Sequence, residues 1–252
     1  MSGRLILIAR CFLFSIGCMA LWWSIDGLSS FWQQSSIERI ANRIIAGESF
    51  NVALLRRQLP IIEGIERATK CRQPALRSAA IIRLRMIEAA ASSGDHKYGD
   101  EDLRLLDDTV RSSLSCLPAD PFLWLVLYWV ESTQNGLKPE YLNYLRISYQ
   151  LGPNEGWIIL KRNPAAFANF ALLPNDVATS AIKEFLALIT SELYQQAVGI
   201  LSGPAWDVRD TVLPRLANLP QENREAFARA ASDKGLAIVV PGVDPSKSRP
   251  WQ

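Results

Sequence analysis

The run Leu5–Ile25, LILIARCFLFSIGCMALWWSI, contains a single charge, Arg10. A helix of this length rises about 30 Å, the thickness of a bilayer's hydrocarbon core. The run predicts one transmembrane helix, contacting membrane lipid through residues 5–25, within an N-terminal segment 1–28. Arg4, Arg10 and the α-amino group precede or open the span, Trp22 and Trp23 close it, and Asp26 follows directly. Positive charge before the span and aromatic anchors at its far end predict a cytoplasmic N-terminus and a body across the membrane. Arg39 and Arg43 lie close enough to weaken that bias.

Two other readings compete for the same run. A cleaved secretory signal has a shorter apolar region ending in small residues, whereas this one ends in Trp22 and Trp23. Lipid attachment at Cys18 is the second, because Ser15-Ile16-Gly17-Cys18 resembles a bacterial lipobox with Ser where Leu is usual. Cys18 sits deep in an unfinished apolar run, which favours a membrane-embedded thiol over an acylated one.

Beyond a polar joint at 29–36, rich in Ser and Gln, apolar residues recur every three or four positions, which is helical spacing. Ile37, Ile40, Ala41, Ile44 and Ile45 form one stripe, ended by Gly47. A second stripe runs from Val52 to Ala68 and is bent or divided at Pro60. Pro74 opens a helix reaching Ala91, and Asp100 is placed to cap another that stops before Pro118. Pro121, Pro139, Pro153, Pro164, Pro174, Pro204 and Pro220 then recur at helix-length intervals. The only β-like run is Ala237–Val240. The fold predicted is all-α: a transmembrane helix, then one irregular array of antiparallel helix pairs over 37–236. Residues 237–252, rich in Pro and small polar residues, read as a disordered tail in which Trp251 is a candidate docking residue.

The segment from Leu117 to Trp157 repeats itself. LPADPFLW recurs as LGPNEGW, with Pro118 and Pro153 separated by 35 residues and Trp124 and Trp157 by 33. These bracket the tetratricopeptide period of 34. The segment resembles a tetratricopeptide repeat, with Trp124 at the aromatic position of the first helix and Pro153 at the closing proline. Arg83–Cys116 resembles a more degenerate unit. The sequence departs from the family in an enlarged loop at 92–99, in Trp129 where a small residue is normal, and in Pro164, which should break the following unit. The resemblance implies an α-solenoid that binds peptides or partner helices.

Cys71 and Cys116 are the body's only cysteines. One precedes the Pro74 helix and the other ends the Asp100 helix, so an antiparallel hairpin makes them neighbours within disulfide reach. An oxidising compartment would then cross-link them. Two unrelated buried thiols are the alternative.

No constellation carries recognisable chemistry. The chain has one His and no C-x-x-C, which removes the usual zinc and redox motifs, and no cofactor is expected. A formal charge of +2 is far from the basic excess typical of nucleic-acid binders, so no nucleic-acid partner is expected. Gly94–Asp102 gathers His96 with several carboxylates, but in neither EF-hand nor triad spacing, and reads as a solvated loop. Charge is uneven: residues 33–90 carry ten Lys and Arg against five acids, and 91–140 carry four against nine. These blocks suit an anionic surface and another protein respectively, though solvated helix faces account for both. Trp124, Tyr128, Tyr141 and Tyr144 form the candidate binding surface, able to stack on sugar rings or grip a peptide; packing residues of the repeat are the alternative.

One anchor, a short cytoplasmic tail and PADPFLWL with LGPNEGW together resemble bacterial accessory proteins of exopolysaccharide biosynthesis and export. That resemblance implies a noncatalytic periplasmic scaffold on the bacterial inner membrane, with a protein partner and an envelope polysaccharide as the expected contacts. A membrane-bound enzyme acting on an envelope polymer is the alternative.

Overall fold

Every regular element in the described part of the computed structural model, residues 2–68, 71–93, 99–153 and 155–244, is helical. Within α1, side chains are described for Arg10, Phe12–Ser24 and from Ser35 onward. The chain divides after Cys116 into two units, where the sequence predicts one array.

In the first unit α1 runs unbroken from Ser2 to Ile45. The expected linker 29–36 is therefore helix, because its Ser and Gln residues are only mildly unfavourable there and it contains neither Pro nor Gly. Among the described residues no helix is long and apolar enough to cross a membrane; Leu5–Ala9, Cys11 and Ile25 of the predicted span lie outside those with described side chains. The helix ends where Gly47 adopts φ +87°, a left-handed conformation that costs a residue without Cβ little. Asn51 caps α2 (Val52–Arg56) by accepting the Ala53 N–H at 2.8 Å. Pro60 stands in the first turn of α3 (Leu59–Glu66), where its missing N–H costs nothing.

α4 (Gln73–Ser93) packs on α1 and on α5 (Asp100–Cys116). Gly99, not Asp100, supplies the carbonyl that opens α5, receiving the Asp102 N–H at 3.1 Å. Asp100, Glu101 and Asp102 instead fill the first turn, where negative charge faces the positive end of the helix dipole. Ile37 and Ala41 of α1 are buried, and Ile37 joins Leu55, Ile62, Ala79 and Ile82 in this unit's core. Through that core runs one polar tie: Arg83 donates to both carboxylate oxygens of Glu66, at 2.7 and 2.8 Å, and Thr109 donates to the same carboxylate at 2.6 Å. Three helices, α3, α4 and α5, meet on one carboxylate. Cys71 and Cys116 are joined by a disulfide, their Cα atoms 5.8 Å apart.

The second unit starts with α6 (Pro121–Asn135), capped by Asp120, whose Oδ1 accepts the N–H groups of Phe122 and Leu123. α7 (Leu142–Leu151) folds back on α6, and α8 (Gly156–Phe167), α9 (Asn175–Thr190) and α10 (Tyr194–Ser202) follow. A single turn, α11 (Arg209–Val212), leads through a 3-10 stretch at Leu213–Asn218 to α12 (Gln221–Asp233). Pro164 lies inside α8 and does not break it; the turns on either side supply enough bonds to carry the helix past the missing N–H. A relay of edge-on rings, Phe167 to Phe185 at 5.9 Å and Phe185 to Phe227 at 6.0 Å, joins α8, α9 and α12.

The predicted tail begins too early. Val240 is buried, and Leu236, Ile238 and Val243 pack on the same core as the ring relay, so the chain is anchored as far as Asp244. Ala237–Val240 is extended but forms no strand, since no second segment pairs with it among the described residues. Residues 245–252, including Trp251, lie outside the described residues.

The disulfide spans 45 positions of sequence, and a closed loop of that length should stabilise the fold by roughly 2–4 kcal/mol. Scanning calorimetry of the full chain should therefore show a lower Tm for the first transition under reductant, with no further effect of reductant on a Cys71→Ser, Cys116→Ser double variant. Gly152 offers a second check. A Cβ there would fall 2.7 Å from Pro121 Cγ, so Gly152→Ala should cost about 1–3 kcal/mol in denaturant melts.

Candidate functional site

The first pair of the second unit brings the sequence-selected aromatics together, though not as one platform. Asp120 and Pro121 fix the start of α6, which sets Trp124 one turn in. The Trp124 Nε1–H donates back to the Pro118 carbonyl at 2.7 Å. Its ring stacks on Tyr144 at 5.7 Å, and Tyr144 stacks in turn on Tyr141 at 6.2 Å. Trp124 and Tyr144 are half-buried, and Tyr141 is buried. Tyr128 is 2% exposed, its hydroxyl accepting the Asn169 Nδ2–H at 3.1 Å, and burial raises its pKa. Tyr128 therefore belongs to the core, and the four-residue platform reduces to a ladder of three rings with Trp124 and Tyr144 reaching solvent. Trp157, the second tryptophan of the repeat spacing, packs against Phe122 at 4.7 Å.

The same unit holds a feature that sequence reasoning missed. Arg162 of α8 is fully buried, and every donor it directs is used. Nη1 donates to the Ser148 carbonyl at 2.5 Å and to Ser148 Oγ at 3.0 Å, and Nη2 donates to the Gly152 carbonyl at 2.7 Å. Nε donates to Glu184 Oε1 at 3.0 Å, Nη2 reaches the same oxygen, and the guanidinium lies 4.2 Å over the Tyr149 ring. The Ser148 Oγ–H donates in turn to the Pro121 carbonyl at 2.6 Å. The last carbonyls of a helix have no partner within it and carry the negative end of its dipole. Arg162 thus closes the C-terminal end of α7 from outside, while Glu184 holds it from α9.

The signal for this cluster was present in the spacing. Arg162 falls between Ile158 and Ala166 on the buried stripe of α8, and Glu184 between Ala181 and Leu188 on that of α9. Two opposite charges at core positions of consecutive helices imply a buried pair.

Glu184 Oε2, Tyr149 Oη and Asn163 Oδ1 are buried without a hydrogen-bond partner. Burial raises the Glu184 pKa above the ordinary carboxylate value, opposed by the hydrogen bond and charge of Arg162. Burial likewise pushes the Tyr149 hydroxyl well above its usual range, with the Glu184 charge adding to it. With Arg162 inaccessible and Glu184 4% exposed, the cluster offers no route to a substrate. It ties the end of α7 to α8 and α9.

Asp95 and His96 lie outside the described residues, as does the rest of their loop at 94–98. Among the described residues no group of three or more His, Cys, Asp or Glu side chains could hold a metal ion. No protein-family model, no curated protein and no solved structure matches the chain.

A raised folded-state pKa means that the folded protein binds this proton more tightly than the unfolded chain. The stabilisation it confers is full below the ordinary Glu value and is lost as pH rises through the Glu184 value. Chemical denaturation of wild type and Glu184→Gln between pH 4 and pH 8 should show wild type losing stability relative to the variant across that interval. Removing one partner of the buried pair is far costlier: Arg162→Met should destabilise by about 3–5 kcal/mol, and adding Glu184→Leu should recover part of the loss.

Proposed function

We propose that this chain is a noncatalytic scaffold or accessory subunit of a bacterial cell-envelope assembly, anchored in the inner membrane by the N-terminal part of α1, with its helical units in the periplasm. The observation that carries the reading is the character of α1. Every described side chain from Phe12 to Ser24 is exposed, with Phe14, Met19, Trp22 and Trp23 at 75–78%. A helix that is apolar on all sides is stable where its surroundings are apolar on all sides. The same helix continues to Ile37 and Ala41, which are buried in the first unit. Anchor and domain are thus one element, which suits a protein that holds a partner at the membrane.

Two further features support a binding role. In the second unit α6 packs on α7 and α8, and α8 on α9, which supports reading it as a tetratricopeptide-like array. The exposed parts of Trp124 and Tyr144, backed by the buried Tyr141, are a pre-formed aromatic surface of the kind that takes a sugar ring or a partner's apolar side chain. An oxidising compartment suits the Cys71–Cys116 disulfide.

A protease-cleavable tag inserted after Gly136, in the α6–α7 turn, tests topology and partner together. Externally added protease should remove it in spheroplasts, and crosslinking in intact cells should recover envelope-assembly proteins, with Tyr144→Ala reducing their yield severalfold. A tag protected from protease would overturn the periplasmic placement, and unchanged crosslinking in the Tyr144 variant would remove the ladder from the binding surface.

A further inference from the structure

The two sulfurs of the first unit's disulfide sit in unlike surroundings. Cys71 is exposed, one residue ahead of Arg72, whose carbonyl opens α4 by receiving the N–H groups of Ala75 and Leu76 at 3.0 Å. Cys116 ends α5 and is half-buried against the core that contains Ile37, Leu55 and Ile62. A thiolate cleaves a disulfide by attacking one sulfur in line with the bond, through a mixed disulfide, so access selects which sulfur is attacked. The exposed residue offers that access, and the core screens its partner.

Electrostatics separates the two cysteines in the same sense. Cys71 precedes the positive end of a 21-residue helix, whereas Cys116 closes a 17-residue helix at its negative end. Positive potential favours a thiolate at residue 71, and negative potential disfavours one at residue 116. The Arg83–Glu66–Thr109 node and the apolar core hold α3, α4 and α5 together independently of the sulfurs. Opening the bond therefore leaves two thiols side by side in a folded unit, able to close again.

We propose that Cys71 and Cys116 are an exchangeable redox pair in which Cys71 is the entry sulfur for an external disulfide or dithiol. In the reduced chain the Cys71 thiolate attacks one sulfur of an external disulfide, forming a mixed disulfide and releasing the other sulfur as a thiolate. Cys116 then gives its proton to solvent, and its sulfur attacks Cys71 Sγ, expelling the second external thiolate and closing the bond across 45 positions of sequence. The external disulfide gains two electrons and the cysteine pair loses two. Reduction runs backward: an external dithiol attacks Cys71 Sγ, Cys116 leaves and takes a proton from water, and the second external thiol releases Cys71. The exchange depends on the first unit alone and not on where the chain resides.

The full chain carrying Cys11→Ser and Cys18→Ser, reduced and freed of reductant, is mixed with oxidised glutathione, quenched with acid and mapped by peptide mass. With both body cysteines present, the trapped glutathione adduct should lie on Cys71 and give way to the closed disulfide. With Cys116→Ser added, Cys71 should take up glutathione at least about tenfold faster than Cys116 does with Cys71→Ser added, circular dichroism showing equal helix content in the two. Adducts divided equally, or found first on Cys116, would overturn the proposal. So would a disulfide that excess dithiothreitol opens only in denaturant, which would mark it as a structural cross-link alone.

Discussion

A guanidinium without water must find its hydrogen-bond partners in the protein, and in the second unit the arrangement of three helices is the solution to that requirement. Arg162 cannot be moved by a fraction of an ångström without releasing the carbonyls of Ser148 and Gly152 or the carboxylate of Glu184. An isolated buried charge is prohibitively costly, so any competing packing of α7, α8 and α9 that left Arg162 unpaired is disfavoured. The pair adds little net stability over an apolar replacement, but it fixes register. Gly152 is the geometric complement: only a residue without Cβ lets the end of α7 lie against Pro121, where Ser148 also bonds.

The first unit solves a similar problem with Arg83, Glu66 and Thr109. Here the carboxylate is the hub and the guanidinium its two-pronged partner, again joining three helices. In both units apolar contacts supply most of the stabilisation, while one polar node selects among packings that apolar contacts alone would leave nearly equal in energy.

Helix positions were legible in the sequence because they depend on local signals: Gly47, Pro60, Pro74 and Pro121 each mark a boundary that the structure has, within a residue or two. Less legible were the features that depend on neighbours in space. Residues 29–36 read as a joint because they are polar, yet with neither Pro nor Gly nothing in them prevents a helix from passing through. Ala237–Val240 reads as the start of a tail because its inward side chains, Ile238 and Val240, join a core drawn from many elements of the second unit, which no local signal reveals. Tyr128 was selected with its neighbours on helix spacing, and only Asn169, 41 positions on, reveals that it points inward. Of the candidate surface, helix spacing puts Trp124 with Tyr128 and Tyr141 with Tyr144, whereas the stacking of Trp124 on Tyr144 depends on how α6 and α7 pack, and the buried Arg162–Glu184 pair is marked only by charges on apolar stripes.

The covalent link at the boundary of the first unit has a mechanical meaning. Cys116 is the last residue of α5, and the disulfide ties it to Cys71, ahead of α4. Tension applied between α1 and Leu117 passes from Cys116 to Cys71 and bypasses residues 72–115 altogether. The α4–α5 hairpin then bears no pulling load along its backbone, so Arg83 and Thr109 are kept out of the force path, while Glu66, on α3, stays within it.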